Sequence, residues 1–181
     1  MKNLAFILLF SFLMIGCKDN GNAQEAKTKS SNDITHPSKV KNHKFPVQKS
    51  ETEWKEELTA QQFHILREAG TERPNSSDLL HIKGKGVFVC AACGNPVYRN
   101  KNQFVSGTGW PSFDQPIKGG VVLATDTKLG YKRNEVLCAR CGGHLGHLFN
   151  DGPEKTTGLR YCMDGAAMKF NPADKNKPEK E

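Results

Sequence analysis

Two copies of one pentapeptide design constrain this chain more than any other feature: Cys90-Ala-Ala-Cys93-Gly94 and Cys138-Ala-Arg-Cys141-Gly142. A two-residue spacer lets both sulfurs of a pair face one ion, and the glycine that follows lets the backbone turn so that amides approach the thiolates. The pairs are separated by 44 residues, well beyond the spacing of a compact finger. An ion held between them would staple two distant hairpins together. Four thiolates would also close its tetrahedron and leave no position for water or substrate. The expected cofactor is therefore one structural Zn2+ per chain, on Cys90, Cys93, Cys138 and Cys141. Two other readings stay open: a pair of disulfides, if the chain meets an oxidising compartment, and a thioredoxin-like redox pair, which asks for one Cys-x-x-Cys opening a helix.

The compartment is read from the first 17 residues. Lys2 gives a positive start, Leu4 to Ile15 is almost wholly apolar, and Gly16 precedes Cys17. The run is too short to span a bilayer and has the layout of a secretory signal. A small residue followed by cysteine also matches a bacterial lipoprotein cleavage box, with Met14 where leucine is usual. The expectation is export to the cell envelope or periplasm, with a lipid on Cys17 anchoring the chain to a membrane; a plain signal peptide with an incidental cysteine is the alternative.

The net charge of +7 raises nucleic acid as a partner, but residues 18–50 hold seven lysines against Asp19, Glu25 and Asp33. That stretch has almost no apolar residues to offset the entropy of ordering, so it reads as a disordered tether. No basic stripe interleaved with aromatics occurs in the remainder, so nucleic-acid binding is not expected. Residues 171–181 read as a polar tail, which leaves one domain over 51–170.

Within it, order begins near Glu53, where Trp54 and Leu58 share a helical face. Thr59-Ala-Gln-Gln62 is a capping box for a second helix carrying Phe63, Leu66 and Ala69 on one face. Gly70 is its expected C-cap, and Pro74 forbids continuation. Short apolar runs then follow between glycines and prolines: Gly86 to Cys90, Gln103 to Ser106, Gly120 to Ala124, Glu135 to Cys138 and Gly158 to Met163. These read as strands. The predicted fold is mainly β, with antiparallel sheets in a tent or barrel, two short N-terminal helices and the four-cysteine zinc staple.

Cys162 stands apart from the knuckles in Arg160-Tyr-Cys162-Met-Asp164. A lone cysteine is commonly a small buried hydrophobe. Here Arg160, two residues away and on the same face of a strand, favours the thiolate, which is the nucleophilic form. His144-Leu-Gly-His147 offers two imidazoles that could move protons, with Asp151 available to orient one of them. A second metal site on the two histidines is the competing reading.

Several segments together resemble the B-type peptide-methionine sulfoxide reductases, the class acting on the R epimer: Leu58-Thr-Ala-Gln-Gln-Phe63, Gly70-Thr-Glu72, Ser106-Gly-Thr-Gly-Trp-Pro-Ser-Phe113, His144-Leu-Gly-His147, Asp151-Gly-Pro153 and Arg160-Tyr-Cys162. They span about residues 53–170, and the knuckles fall where zinc-containing members carry theirs. The resemblance implies that Cys162 attacks the sulfoxide sulfur and is left as a sulfenic acid. It further implies that Trp110 packs on the substrate methyl group, that His144 and His147 contact the sulfoxide oxygen, that Asp151 supports a histidine and that Arg160 lowers the thiol pKa. Phe149 and Asp164 complete the expected substrate-binding set. Implied partners are methionine-oxidised proteins or peptides and a thioredoxin-like reductant or small thiol. A monomer is the default expectation, since nothing in the sequence suggests an obligate oligomer. Two positions depart from the pattern. Thr108 stands where many members have a resolving cysteine, and Asp164-Gly165 replaces the usual Asn-Ser. A reading from a different class is an envelope-tethered zinc-ribbon interaction module without catalysis.

Overall fold

The computed structural model describes residues 40–173. Expectations about the signal segment, Cys17, the tether up to residue 39 and the tail from residue 174 lie outside these described residues.

Two helices open the domain, each started by a reciprocal cap. Before α1 (Glu51–Glu57), the Ser50 hydroxyl accepts from the Glu53 N–H while the Glu53 carboxylate accepts from the Ser50 N–H. Thr59 and Gln62 do the same for α2 (Ala60–Glu68), as the sequence pattern predicts. The end of α2 differs from expectation. The left-handed residue is Ala69, at φ 52°, while the Gly70 N–H reaches back to the His64 carbonyl at 2.9 Å. Trp54, Phe63, Ile65 and Leu66 are buried, and α2 lies against β7 (His144–Phe149).

Nine strands, all paired antiparallel, form two sheets among the described residues. The three-stranded sheet runs β2 (Pro96–Arg99), β1 (Gly86–Cys90), β9 (Met168–Pro172). The six-stranded sheet runs β3 (Gln103–Phe104), β4 (Ser112–Phe113), β8 (Arg160–Met163), β7, β6 (Arg133–Cys138), β5 (Val121–Asp126). The fold is the expected mainly β class. The five predicted runs contain β1, β3 and β8 and overlap β5 and β6, each of which extends two residues further at one end; β2, β4, β7 and β9 were not foreseen. Aromatic side chains join the sheets: Tyr98 of β2 stacks on Phe113 of β4 at 4.2 Å, and Phe88 of β1 meets the same ring edge-on at 4.8 Å. All three are fully buried.

The knuckles close one hairpin in each sheet, β1 to β2 and β6 to β7, and their backbones repeat one another. Gly94 N–H donates to Cys90 O and Gly142 N–H to Cys138 O, both at 2.9 Å; Cys90 N–H donates to Asn95 O and Cys138 N–H to Gly143 O, again both at 2.9 Å. Part of the stretch read as tether lies over the second knuckle. Val47 N–H donates to Arg140 O at 3.0 Å, and His43 Nε2 is 2.6 Å from Ala139 O.

β7 carries the irregularity that matters most for function. Residues three apart on a regular strand face opposite sides. Here Val136 pairs with Gly146 and Leu137 with His144, so β7 has one extra residue, a bulge. The bulge turns His144 to the same side as His147. Gly146 permits it with a φ of 148°, and a Cβ there would stand 2.1 Å from the Cys162 carbonyl on β8.

Candidate functional site

Cys162 lies in mid-β8, directly opposite His147 of β7 on one side and Ser112 of β4 on the other. Side chains at directly paired positions share a face, with Cβ atoms about 5 Å apart. Both imidazoles and the sulfur accordingly line one cleft of about 500 Å³, along with Trp110, Phe149 and Asp164. The C-terminal end of α2 and the β5–β6 turn complete its walls through Gly70, Thr71, Lys128 and Leu129. Six of the residues singled out from the sequence thus meet in one place. None of the four knuckle cysteines lines this cleft.

Arg160 and Asp151 stand beside the cleft rather than in its lining. Contrary to the expectation that Asp151 supports a histidine, its carboxylate grips Arg160 in a two-pronged pair, with Nε to Oδ1 and Nη2 to Oδ2 both at 2.9 Å. The guanidinium also sits 4.4 Å over the Phe149 ring. Asp151 therefore acts by positioning a cation, and Arg160, on the Cys162 face of β8, directs that charge at the sulfur.

The histidines are held by two acids that the sequence reading passed over. His144 Nδ1 is 2.6 Å from Glu135 Oε1, and His147 Nε2 is 2.9 Å from Asp126 Oδ2. Hairpin register drawn outward from the second knuckle would have found Glu135, which pairs across from His147. No local pattern marks Asp126, which reaches His147 from the far strand of the sheet. Asp126 is held well below the usual carboxylate range by the Lys128 N–H, His147 and Arg133. As an ionised acceptor, it fixes the proton of neutral His147 on Nε2 and leaves Nδ1 as the free lone pair. Burial lowers the His147 pKa, partly offset by Asp126, so the neutral form prevails at neutral pH.

Around Cys162 the electrostatics oppose one another. Burial pushes the thiol pKa up and Asp164 adds to that, while a Thr108 hydrogen bond and the Arg160 charge pull it down; burial prevails. Asp164 is 3% exposed. Its Oδ1 accepts from Thr71 Oγ1 at 2.7 Å and Glu72 N at 3.1 Å, and its Oδ2 lies 3.7 Å from His144 Nε2. Burial raises its pKa above the ordinary carboxyl value. Such a group stabilises the fold below the unfolded-state pKa, and that contribution is lost as pH rises through the folded value. Asp164→Asn keeps the Oδ1 contacts and removes a buried charge. It is expected to raise the neutral-pH melting temperature by an amount that vanishes in acid, and to lower the pH at which Cys162 is half alkylated by iodoacetamide. An unchanged or raised alkylation midpoint would count against this account.

The four knuckle sulfurs form a separate centre. They lie within 4.8 Å of one another, with Cys90 and Cys141 at 3.7 Å and Cys93 and Cys138 at 3.5 Å. A tetrahedral ion with metal–sulfur bonds near 2.3 Å sets sulfurs about 3.8 Å apart. The donor set fits one metal ion, and the closest pairs join one knuckle to the other.

Together these features define a one-thiol active site on a β scaffold whose two sheets are stapled by a four-cysteine centre. The SelR domain model matches residues 58–172. The chain is 50% identical over 127 residues to "Peptide methionine sulfoxide reductase MsrB" of Leptospira interrogans, covering 70% of this chain and 96% of that protein. It is 48% identical over 136 residues to the protein of the same name from Methanosarcina barkeri, covering 75% and 95%, and 49% identical over 127 residues to that of Agrobacterium fabrum, covering 70% and 93%. The chain belongs to the SelR family, the B-type methionine sulfoxide reductases.

Proposed function

We propose that this chain reduces peptide- or protein-bound methionine (R)-S-oxide to methionine, with Cys162 as nucleophile. The observation that carries the reading is the sulfur of Cys162 in a cleft wall directly opposite His147, with Arg160 on the same strand face. His147 Nδ1 takes the thiol proton, and the thiolate, favoured by Arg160, attacks the sulfoxide sulfur. The proton returns to the departing oxygen, which is held by His144 and His147. The sulfur–oxygen bond of the substrate breaks and a bond from that oxygen to Cys162 Sγ replaces it. Methionine leaves and Cys162 remains as a sulfenic acid, with no net proton taken up. Two external thiols, on a thioredoxin-like protein or a small thiol, then restore Cys162 and release a disulfide and water.

Trp110 in the cleft wall supplies the apolar surface for the substrate methyl group, beside Phe149. Leu129 and Tyr131, 61% and 59% exposed on the β5–β6 turn, offer further apolar surface for a substrate chain. The knuckle cysteines hold Zn2+ in a structural role: all four donors are thiols, the preference of structural zinc. The Leu4 to Ile15 run and the Gly16-Cys17 pair support export and lipid anchoring at Cys17; absence of fatty-acid label on the exported chain would remove the anchor. A non-catalytic zinc-ribbon module would account for the knuckles alone, and no observation favours it.

The direct test follows a peptide carrying methionine sulfoxide in the presence of dithiothreitol. The R epimer is expected to disappear and the S epimer to persist. Persistence of both would overturn the assignment.

A further inference from the structure

Thr108 Oγ1 lies 3.8 Å from Cys162 Sγ, and it is the end of a line of hydroxyls. Ser106 Oγ is 2.9 Å from Thr108 Oγ1. Ser112 Oγ lies within donating distance of two acceptors, Ser106 Oγ at 2.8 Å and the Trp110 carbonyl at 3.1 Å. The line begins and ends on neighbouring strands, because Ser112 and Cys162 are paired across β4 and β8. Ser112 is 1% exposed, so its end of the line is shielded from water.

The direction is set at the buried end, where Ser112 is the donor to Ser106, while the Ser106–Thr108 and Thr108–sulfur contacts can each run either way. Each hydroxyl carries one proton and can also accept. With Cys162 ionised, the protons therefore run one way: Ser112 donates to Ser106, Ser106 to Thr108, and Thr108 to the sulfur. Every hydroxyl then has an acceptor, and the thiolate has a donor.

We propose that Ser112, Ser106 and Thr108 form a donor chain, directed from Ser112 to the sulfur, that stabilises the Cys162 thiolate, with Thr108 as a catalytic residue touching the reacting sulfur and Ser106 and Ser112 as positioning residues. The chain offsets part of the burial that disfavours the ionised sulfur, and it acts alongside Arg160. A hydroxyl donor counts for more here than on an open surface, because burial limits how much water can solvate the sulfur, and a hydrogen bond to an ion is worth more than one between neutral groups.

The inference deepens the proposed thiol chemistry, and its test does not depend on sulfoxide turnover. The zinc-loaded full chain is alkylated with iodoacetamide across a pH series, and modification of Cys162 is followed by peptide mass spectrometry. The other ionisable groups facing the sulfur, Arg160 and Asp164 on β8 and the loop after it and His144 and His147 on β7, are common to all variants. Thr108→Val is expected to raise the midpoint by about one pH unit, a tenfold loss of thiolate below it. Ser106→Ala is expected to raise it by a smaller amount, about threefold in thiolate on the same scale, and Thr108→Ser to restore it. A Thr108→Val midpoint equal to the wild type, or a Thr108→Ser midpoint shifted as far as that of valine, would overturn the chain. If the valine variant does not fold, Ser106→Ala decides, and an unmoved midpoint there rejects the proposal. Normal alkylation behaviour with no sulfoxide reduction would instead count against the function and leave the chain standing.

Discussion

A Cys138→Ser chain is expected to melt at least about 15 °C below the wild type, since loss of roughly 4 kcal/mol shifts a domain of this size by about 4 °C per kcal/mol. Cys138 is fully buried at the end of β6, and its sulfur lies 3.5 Å from Cys93 of the other knuckle. A serine hydroxyl is a far poorer ligand than a thiolate, and structural zinc sites contribute on the order of 10 kcal/mol to folding in small domains. That is comparable with the whole stability of an ordinary domain, about 5–15 kcal/mol. The aromatic cluster of Phe88, Tyr98 and Phe113 remains, so some folded structure survives, but the two sheets lose the connection at their hairpin ends. Strong chelation of the wild type is expected to reproduce the loss, and metal analysis to find about one zinc per chain. Dithiothreitol alone should change nothing, because the sulfurs stand too far apart for disulfides, whose bond is near 2.05 Å. Calorimetry separates the readings: a chelated or Cys138→Ser chain melting within a few degrees of the wild type would rule out a structural metal.

The knuckles were legible in the sequence because their chemistry is local: two sulfurs, a fixed spacer and a turn glycine specify the geometry within five residues. The Thr59–Gln62 cap was legible for the same reason. What escaped was structure created by pairing. β4 spans two residues and β2 opens on Pro96, and neither shows the alternation from which strands are recognised. β7 was missed because Gly146 breaks its apolar run, yet that glycine permits the bulge that gathers the histidines. At the end of α2 the sequence pointed to Gly70 as the left-handed residue, whereas Ala69 takes that conformation. Ala69 lines the cleft beside Gly70 and Thr71, so the strained turn belongs to the site's own wall.

In the site, motif reading placed the sulfur, the imidazoles and the indole together but assigned a wrong partner to Asp151. An aspartate nine residues before Arg160 and four after His147 is compatible with either neighbour on sequence grounds. The β7–β8 pairing decides, because it sets Phe149 opposite Arg160 and brings the start of the intervening loop to the guanidinium. Glu135 and Asp126 fall on strands whose order in the sheet had to be known before their reach to His144 and His147 could be seen.

Cys162→Ser is expected to fold normally and to lose turnover by at least about a thousandfold, the scale on which removal of an enzyme's nucleophile registers. The substitution replaces one small group by another at a half-buried position and leaves the β8 backbone pairing intact. The chemistry has no such tolerance. An alcohol is scarcely ionised at any working pH, and its oxygen cannot accept the sulfoxide oxygen as a sulfur does. The wild type given one equivalent of oxidised substrate and no reductant is expected to gain roughly 16 mass units on Cys162, one oxygen atom, and the serine variant to gain none. A loss of two hydrogens would instead mean a disulfide. Among the described residues the other cysteines are gathered on one another in the knuckle cluster, and the side chain facing Cys162 from the turn is the hydroxyl of Thr108. On the proposed cycle the sulfenic acid is therefore expected to wait for a thiol from outside the domain. A Cys162 disulfide within the chain would refute the one-thiol cycle, and undiminished turnover in Cys162→Ser would remove the nucleophile assignment itself.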